Sequence, residues 1–382
     1  MSWAIWITGL PGSGKSVLAR AAAAELQANG EAVVVLELDE IRKVITPSPT
    51  YSDLERDVVY RALVYMAASL TKAGTPVIID ATGHRREWRE LAGRLIPRFA
   101  EVQLVCPLEE CQKRERERKH GNAPAEIYAR GGRPGARVPG VDAPYETSFH
   151  PELTIDTQLE KPELAAQRIV ALARQLGQTS GPGTHAGIPG WAIWISGLPG
   201  SGKTTLAWGA ARDLAAHYVN VRVLEFADVR RVLLARYPDS DTTEDIVNRA
   251  LAYTAKLLTD AGVAVIVDAT SRRRVWRELA RQLILRFAEV QLVCSRDICI
   301  ERERAMRWGL GVQVHAAGPS RPAVDVPDIV MHYEHSLCPE LILHTDTQDS
   351  WRTIEEVLRL ALSLHRTAAV ETYRSPRPKH GD

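Results

Sequence analysis

Residues 3–16 of this chain occur again at 191–204, and no other feature constrains its fold as tightly. Trp3-Ala4-Ile5-Trp6-Ile7-Thr8-Gly9-Leu10-Pro11-Gly12-Ser13-Gly14-Lys15-Ser16 returns as Trp191 to Thr204, an offset of 188 positions. The offset then holds without slipping. Asp80-Ala81-Thr82 meets Asp268-Ala269-Thr270, and Phe99 to Cys106 meets Phe287 to Cys294. Tyr145-Glu146 meets Tyr333-Glu334, and Pro151-Glu152-Leu153 meets Pro339-Glu340-Leu341. A period this long is one whole domain written twice.

Gly9 to Ser16 reads G-x-x-x-x-G-K-S, the phosphate-binding P-loop. Trp3 to Thr8 before it reads as a short buried strand, and the Ala- and Leu-rich run Val17 to Gln27 after it as a helix. Glycines at these positions let the backbone curl so that several N–H groups converge on one phosphate. The helix N-terminus adds partial positive charge. Gly9, Gly12, Ser13, Gly14, Lys15 and Ser16 are the candidate ligands in copy one. Gly197, Gly200, Ser201, Gly202, Lys203 and Thr204 are those in copy two. The lysine reaches the β- and γ-phosphates of ATP and the hydroxyl of Ser16 or Thr204 ligates Mg²⁺. The alternative is a glycine-rich turn with no ligand, but two full P-loop motifs, each in strand–helix context, would very rarely arise by chance.

Beyond the loop, elements alternate. Strands are expected at Ala32 to Leu38, Val77 to Asp80, Val102 to Cys106 and Leu153 to Ile155. Helices are expected at Leu54 to Ala73, Arg86 to Ile96, Leu108 to Lys119 and Pro162 to Leu176, with a Gly/Pro-rich segment from Gly121 to Pro144. This order predicts an α/β P-loop NTPase fold, a parallel sheet with helices on both faces, in two tandem copies. The expected domains are residues 1–177 and 191–366, joined by a flexible Gly/Pro/Ser/Thr linker at 178–190, with a disordered tail at 367–382.

Composition narrows the partners. A net charge of +1 and a 45% hydrophobic, 25% charged chain argue against a nucleic-acid or membrane partner. The N-terminus lacks a basic segment followed by an apolar run, and no 18-residue apolar stretch occurs, so a cytoplasmic protein is expected. Cys106, Cys111, Cys294, Cys299 and Cys338 are odd in number and lack C-x-x-C spacing, which suits reduced thiols rather than zinc.

The acceptor side must come from other residues. Asp80 and Asp268 end apolar strands, where a carboxylate either holds Mg²⁺ through water or caps the next helix. Asp39 follows the second strand and is placed to take a proton from an acceptor hydroxyl. Arg42 and Arg56 are candidate ligands for an acidic acceptor, against the alternative of ordinary surface charge. Arg114, Arg116 and Arg118, with Arg302 and Arg304 in copy two, either cover the transferring group as a lid or form a solvated helix of i,i+4 pairs. Trp88 and Trp276 read as packing residues.

Copy one resembles the adenylylsulfate (APS) kinase family over residues 3 to 176. The resemblance rests on the P-loop, Leu36 to Arg42, Tyr51-Ser52 with Glu55-Arg56, Phe99-Ala100-Glu101-Val102, Gly140-Val141-Asp142-Ala143-Pro144-Tyr145-Glu146, Pro151-Glu152-Leu153 and Asp156-Thr157. It implies an adenylyl-sulfate kinase that moves the ATP γ-phosphate to the 3′-hydroxyl of adenylylsulfate, giving PAPS in sulfate assimilation. It further implies Asp39 as base with Lys15 and Asp80 in catalysis, Arg42 and Arg56 on the phosphosulfate, and Tyr51 against adenine. It implies paired copies too, as an internal pseudo-dimer or a homo-oligomer.

Departures are local. Glu40 replaces Asn beside Asp39, Val59 stands where Asn is usual, and the family's Lys-Gly-Leu-Tyr run is not recognisable between Lys119 and Tyr128. Copy two departs further. Asp39 becomes Ala227, with Asp228 one residue along; Tyr51 becomes Asp239; Arg56 becomes Glu244. Lys203, Thr204, Arg230 and Asp268 survive, so copy two is expected to bind ATP and to phosphorylate APS poorly or not at all. Two other readings stand beside this one: a kinase for another small hydroxyl acceptor such as a nucleoside, sugar or nucleic-acid end, and a nucleotide-binding regulatory protein.

Overall fold

The computed structural model describes residues 2–117, 127–132, 136–178, 190–309 and 332–374. The fold of copy one starts from β1 (Ala4–Thr8), every residue of which is buried. A strand covered on both faces reads as a continuous apolar run, and its two faces split at period two. Ile5 and Ile7 pack with Leu18, Ala22 and Leu26 of α1 (Lys15–Ala28) and with Ile169 and Ala173 of α6 (Pro162–Gly177). Trp6 points the other way, its indole N–H donating to the Ala81 carbonyl at 2.9 Å. Its ring lies parallel to Tyr60 of α3 (Asp53–Lys72), with centroids 6.3 Å apart. Tyr60 in turn stacks at 3.9 Å on Trp88 of α4 (Arg86–Leu95). Fully burying one such Leu or Ile contributes about 1.5–3 kcal/mol, so the two faces of β1 fix which helices lie over it.

The remaining strands are β2 (Val34–Glu37), β3 (Val77–Asp80), β4 (Phe99–Val105) and β5 (Leu153–Asp156), all parallel, in the order β2-β3-β1-β4-β5. This order puts the carboxyl ends of β1, β2 and β3 side by side, with the P-loop, Asp39 and Asp80 at their tips. Strand order reverses beside β1, the position where open α/β sheets bind ligands.

Copy two repeats the plan. It comprises β6 (Ala192–Ser196), α7 (Lys203–Ala216), β7 (Val221–Glu225), α8 (Phe226–Leu233), α9 (Asp241–Asp260), β8 (Ala264–Asp268), α10 (Arg274–Leu283), β9 (Phe287–Val293), α11 (Arg296–Gly309), β10 (Leu341–His344) and α12 (Ser350–Arg374). Its sheet runs β7-β8-β6-β9-β10. Ile193 and Ile195 pack with Leu206, Ala210 and Leu214 of α7 and with Val357 and Ala361 of α12. The chain divides into two compact units, one of Met1–Ala186 with Arg230–Leu257, the other of Gly187–Val229 with Leu258–Asp382.

Three elements differ from the sequence expectation. A helix, α2 (Leu38–Ile45), starts directly at the end of β2. Leu38, Ile41 and Ile45 are buried along one of its faces, at helical spacing, but their apolar signal merges with that of the strand. β4 begins at Phe99 rather than Val102, because its first residues pair with β1 from Ala4 onward. At the other end, α12 continues to Arg374, past the expected boundary at 366. Ala368 and Ala369 favour helix, and nothing interrupts it until Pro376, which disfavours helix in the residue before it. The linker at 179–189 and residues 375–382 lie outside the described residues, as do 118–126 and 133–135 in and beside the Gly/Pro-rich segment.

Candidate active site

The loop between β1 and α1 closes on itself through Ser13 N–H to the Leu10 carbonyl at 3.1 Å. Gly12 and Gly14 hold φ near +79° and +97°, a region that side chains other than hydrogen rarely adopt. Gly14 is the residue that opens α1, so the first N–H groups of the helix face the cradle. Ser13 is fully buried, and its hydroxyl has no partner among the described residues. Such an orphan is costly unless something accepts from it, and an anion in the loop would. The Lys15 ammonium donates to the Leu10 carbonyl at 2.9 Å, folded against the loop it would leave for a phosphate.

Beside it, the Ser16 hydroxyl is hydrogen-bonded to Asp80. Burial pushes the Asp80 carboxyl above its ordinary pKa, while Lys15 and the Ser16 hydroxyl pull it back. A buried carboxylate next to a hydroxyl at the end of a P-loop is an oxygen donor set suited to Mg²⁺. Asp80 does not cap the following helix: Arg85 occupies that position, without a side-chain cap.

A cavity of about 830 Å³ opens over this loop. Its wall contains Gly12, Gly14, Lys15, Ser16 and Asp80, expected from the sequence to face a nucleotide, and Asp39, Arg42, Tyr51 and Arg56, expected to face an acceptor. The structure therefore brings most of the sequence-predicted residues of copy one onto one surface; Gly9 and Ser13 belong to the loop but do not line the cavity. Asp39 sits half-buried in the first turn of α2. Arg42, one turn later, is buried and pairs with the Glu55 carboxylate at 3.4 Å, its guanidinium 5.3 Å from the centre of the Tyr51 ring. Arg56 is buried as well, and burial lowers its pKa from the ordinary value. One of its nitrogens donates to the Arg137 carbonyl at 2.9 Å. Neither arginine is ordinary surface charge.

Arg114 also reaches the cavity wall. It is pinned by Glu110 at 2.8 Å and donates to the Thr157 hydroxyl and carbonyl at 3.2 and 3.0 Å. Arg116 is exposed. Arg118 lies outside the described residues.

Two further residues shape the site: His84, which lines the cavity, and Glu55, which does not but holds residues that do. Glu55 is buried and accepts from Thr50 N–H at 2.6 Å, the Thr50 hydroxyl at 2.7 Å and Tyr51 N–H at 3.2 Å. It holds the loop that presents Tyr51, itself in a left-handed backbone at φ 55°. The Ser52-x-x-Glu55 spacing is a legible capping box. Ser52 does accept from Glu55 N–H at 3.2 Å, but the Glu55 carboxylate turns to Thr50 and Tyr51. His84 is buried on the same wall, edge-on to Trp88 at 5.0 Å, and its Nδ1 has no partner among the described residues. Burial, aided by Arg56, Arg85 and Arg89, pushes its pKa down to about 3, so it is neutral. Trp88 is core: fully buried, donating to Asp57 at 2.6 Å.

The Gly140–Glu146 run frames the site. The Asp142 carboxylate accepts from Gly132 N–H at 2.8 Å and Val138 N–H at 3.0 Å, closing a loop whose Val138 and Pro139 line the cavity. Tyr145 hydrogen-bonds the Thr8 hydroxyl at 2.9 Å, and Glu146 accepts from Arg86 N–H at 2.7 Å, the first amide of α4.

In copy two the cavity is about 690 Å³. Gly200, Ser201, Gly202, Lys203, Thr204, Asp268 and Arg302 line it, and Gly197 does not. Arg230 does not. Its guanidinium is held by the Asp239 carboxylate, so the one acceptor-side arginine that survives in copy two is engaged by a residue that replaced an aromatic. Trp276, like Trp88, is buried.

Comparison with known proteins gives consistent matches. The family model for adenylylsulphate kinase matches residues 1–156 and again 189–317. A probable adenylyl-sulfate kinase of Archaeoglobus fulgidus is 35% identical over 158 residues, covering 41% of this chain and 97% of that protein. The adenylyl-sulfate kinase of Pseudomonas aeruginosa is 36% identical over 173 residues, covering 44% of this chain and 83% of that protein. Among solved structures, the Mycobacterium tuberculosis APS kinase CysC in complex with AMPPNP and APS is 28% identical with a TM-score of 0.40, covering 45% of this chain and 98% of that one.

Proposed function

The chain belongs to the adenylylsulphate kinase family, and from that premise we propose that copy one transfers the γ-phosphate of ATP to the 3′-hydroxyl of adenylylsulfate, releasing ADP and PAPS. The observation that carries this reading is the shared wall: one cavity holds both the phosphate cradle and Asp39, Arg42, Tyr51 and Arg56. Asp39 takes the proton of the attacking hydroxyl. Lys15 leaves the Leu10 carbonyl for the γ-phosphate and steadies it as the O–P bond to ADP breaks. Arg42 and Arg56 hold the acceptor's phosphosulfate, Tyr51 lies against its adenine, and Arg114 covers the transferring group from α5 (Leu108–Glu117). Mg²⁺, held by Ser16 and Asp80, would neutralise charge on the β- and γ-oxygens.

Positioning and charge supply most of the catalysis in such a transfer, since the protein forms no covalent bond. No helix among the described residues is long and apolar enough to cross a membrane, and our reading places the enzyme in the cytoplasm, in sulfate activation. The test is a phosphate-transfer assay with labelled ATP and APS against a panel of sugars and nucleosides. Asp39→Ala is expected to lose about 10²–10⁴ in kcat. An unchanged rate would refute the base, and a wild-type preference for a sugar or nucleoside would refute the acceptor.

A further inference from the structure

We propose that the second cavity is a nucleotide site that holds a nucleoside triphosphate without transferring its phosphate, a proposal that rests on copy one being the transferring copy. The cradle is fully built. Gly197, Gly200 and Gly202 hold φ of 151°, 77° and 94°, against 153°, 79° and 97° for Gly9, Gly12 and Gly14. Lys203 donates to the Leu198 carbonyl at 2.9 Å, as Lys15 does to Leu10. The Thr204 hydroxyl donates to Asp268 at 2.5 Å, an oxygen pair placed for a divalent cation. Ser201 is fully buried at the loop, and its hydroxyl has no partner among the described residues. That orphan is what an anion in the loop would satisfy.

What faces the cradle is different chemistry. At the end of β7 the wall is Glu225, Phe226 and Ala227, a methyl group where copy one has the Asp39 carboxylate. Asp228 is not part of that wall, and Arg230 is tied to Asp239. The two cavities also extend in different directions. In copy one the wall runs from the loop to Thr50, Tyr51, Arg56 and His84, and includes no residue of β5 or α6. In copy two it runs the other way, to Thr345, Gln348, Ser350 and Thr353 at the start of α12. Those are neutral hydrogen-bonding groups, suited to a base and a ribose rather than to an acidic acceptor. The Thr345 hydroxyl donates to the Ser201 carbonyl at 2.8 Å, and Arg302 donates to the Thr345 carbonyl at 2.8 Å. The base end is thus fastened to the phosphate loop. The carboxylates this wall does carry are Glu225, which accepts from the Trp208 indole at 2.8 Å, Asp268, which accepts from the Thr204 hydroxyl, and Glu303; none stands at the position of Asp39.

The experiment uses the full-length chain and a non-hydrolysable ATP analogue with Mg²⁺. Calorimetric titration is expected to give two nucleotides per chain. Lys15→Ala is expected to bind one while turnover with APS falls about a hundredfold or more. If that variant does not fold, Asp39→Ala serves instead, with two nucleotides bound and turnover lost to the same degree. One nucleotide in the wild type and none in Lys15→Ala would overturn the proposal. So would Lys15→Ala keeping a large share of the turnover, since copy two would then be transferring. An error in the acceptor assignment would show separately, as a wild-type chain that is inert toward APS yet binds two nucleotides.

Discussion

Glu55 illustrates how much a single side chain arranges. Its buried carboxylate holds Thr50, Tyr51 and Arg42 together, so it orders the wall proposed for the acceptor without itself lining the cavity. Removing it leaves buried donors unsatisfied, a loss of about 1–3 kcal/mol. Glu55→Ala is expected to raise the KM for the acceptor while the KM for ATP stays near its wild-type value; a parallel rise in both would show general damage instead. His84 makes a different kind of residue-scale prediction. Its folded pKa of about 3 lies well below the ordinary 6.5. The unfolded chain therefore takes up a proton below pH 6.5 that the folded chain refuses, and stability present above that pH is lost as pH falls toward 3. One proton amounts to about 1.4 kcal/mol per pH unit. Urea midpoints of the wild type should fall between pH 6.5 and 5 by an increment that His84→Asn lacks, and superimposable pH profiles would rule the effect out.

Between elements, the phosphate loop and the charged helix are tightly coupled. A Cβ on Gly12 would lie within 3.0 Å of the Cys111 carbonyl of α5, and one on Gly200 would meet Cys299 of α11 in the same way. Both glycines also need positive φ. Gly12→Ala must therefore shift either the loop or the helix that carries Arg114, at a strain of about 1–3 kcal/mol. The number of nucleotides bound per chain is expected to drop by one, and an unchanged number would show that the loop yields more easily than its packing implies. Gly140 is a similar point on another element. At φ 84° a Cβ there would meet Leu10 Cδ2 at 2.7 Å. The left-handed backbone is the main reason the Gly140–Glu146 run, legible as a motif, begins with glycine, since the Leu10 side-chain end could shift. Helix α2 was not legible, because its buried Leu38 and Ile41 continue the apolar run of β2 and only packing separates the two.

At the level of the whole molecule, the chain is one fold used twice with two different walls around the same loop. The compact units do not follow the repeat, since Arg230–Leu257 groups with Met1–Ala186. For that reason the tests use the full-length chain. Ligand that binds only the folded state stabilises it by about 2.7 kcal/mol at a hundred times Kd. A nucleotide analogue is expected to raise the melting midpoint of the wild type, and the double variant Lys15→Ala, Lys203→Ala should show no shift. A shift that persists in the double variant would place binding away from both loops.

The sequence by itself determined the duplication, the parallel α/β architecture and the two phosphate cradles. Those depend on local rules: the strand–loop–helix order, the glycines that free the backbone, and the alternation that buries both faces of a central strand. It also located Asp39, Arg42 and Arg56 as candidates, through spacing that resembles a known family. Only the tertiary structure decided that Arg42 and Arg56 are buried on the cavity wall, that Glu55 holds the loop beside them, that His84 is kept neutral there, and that Arg230 is held by Asp239. Each of those outcomes depends on which side chains from distant segments meet, and on burial that changes their charge preference. Spacing along the chain carries no record of either.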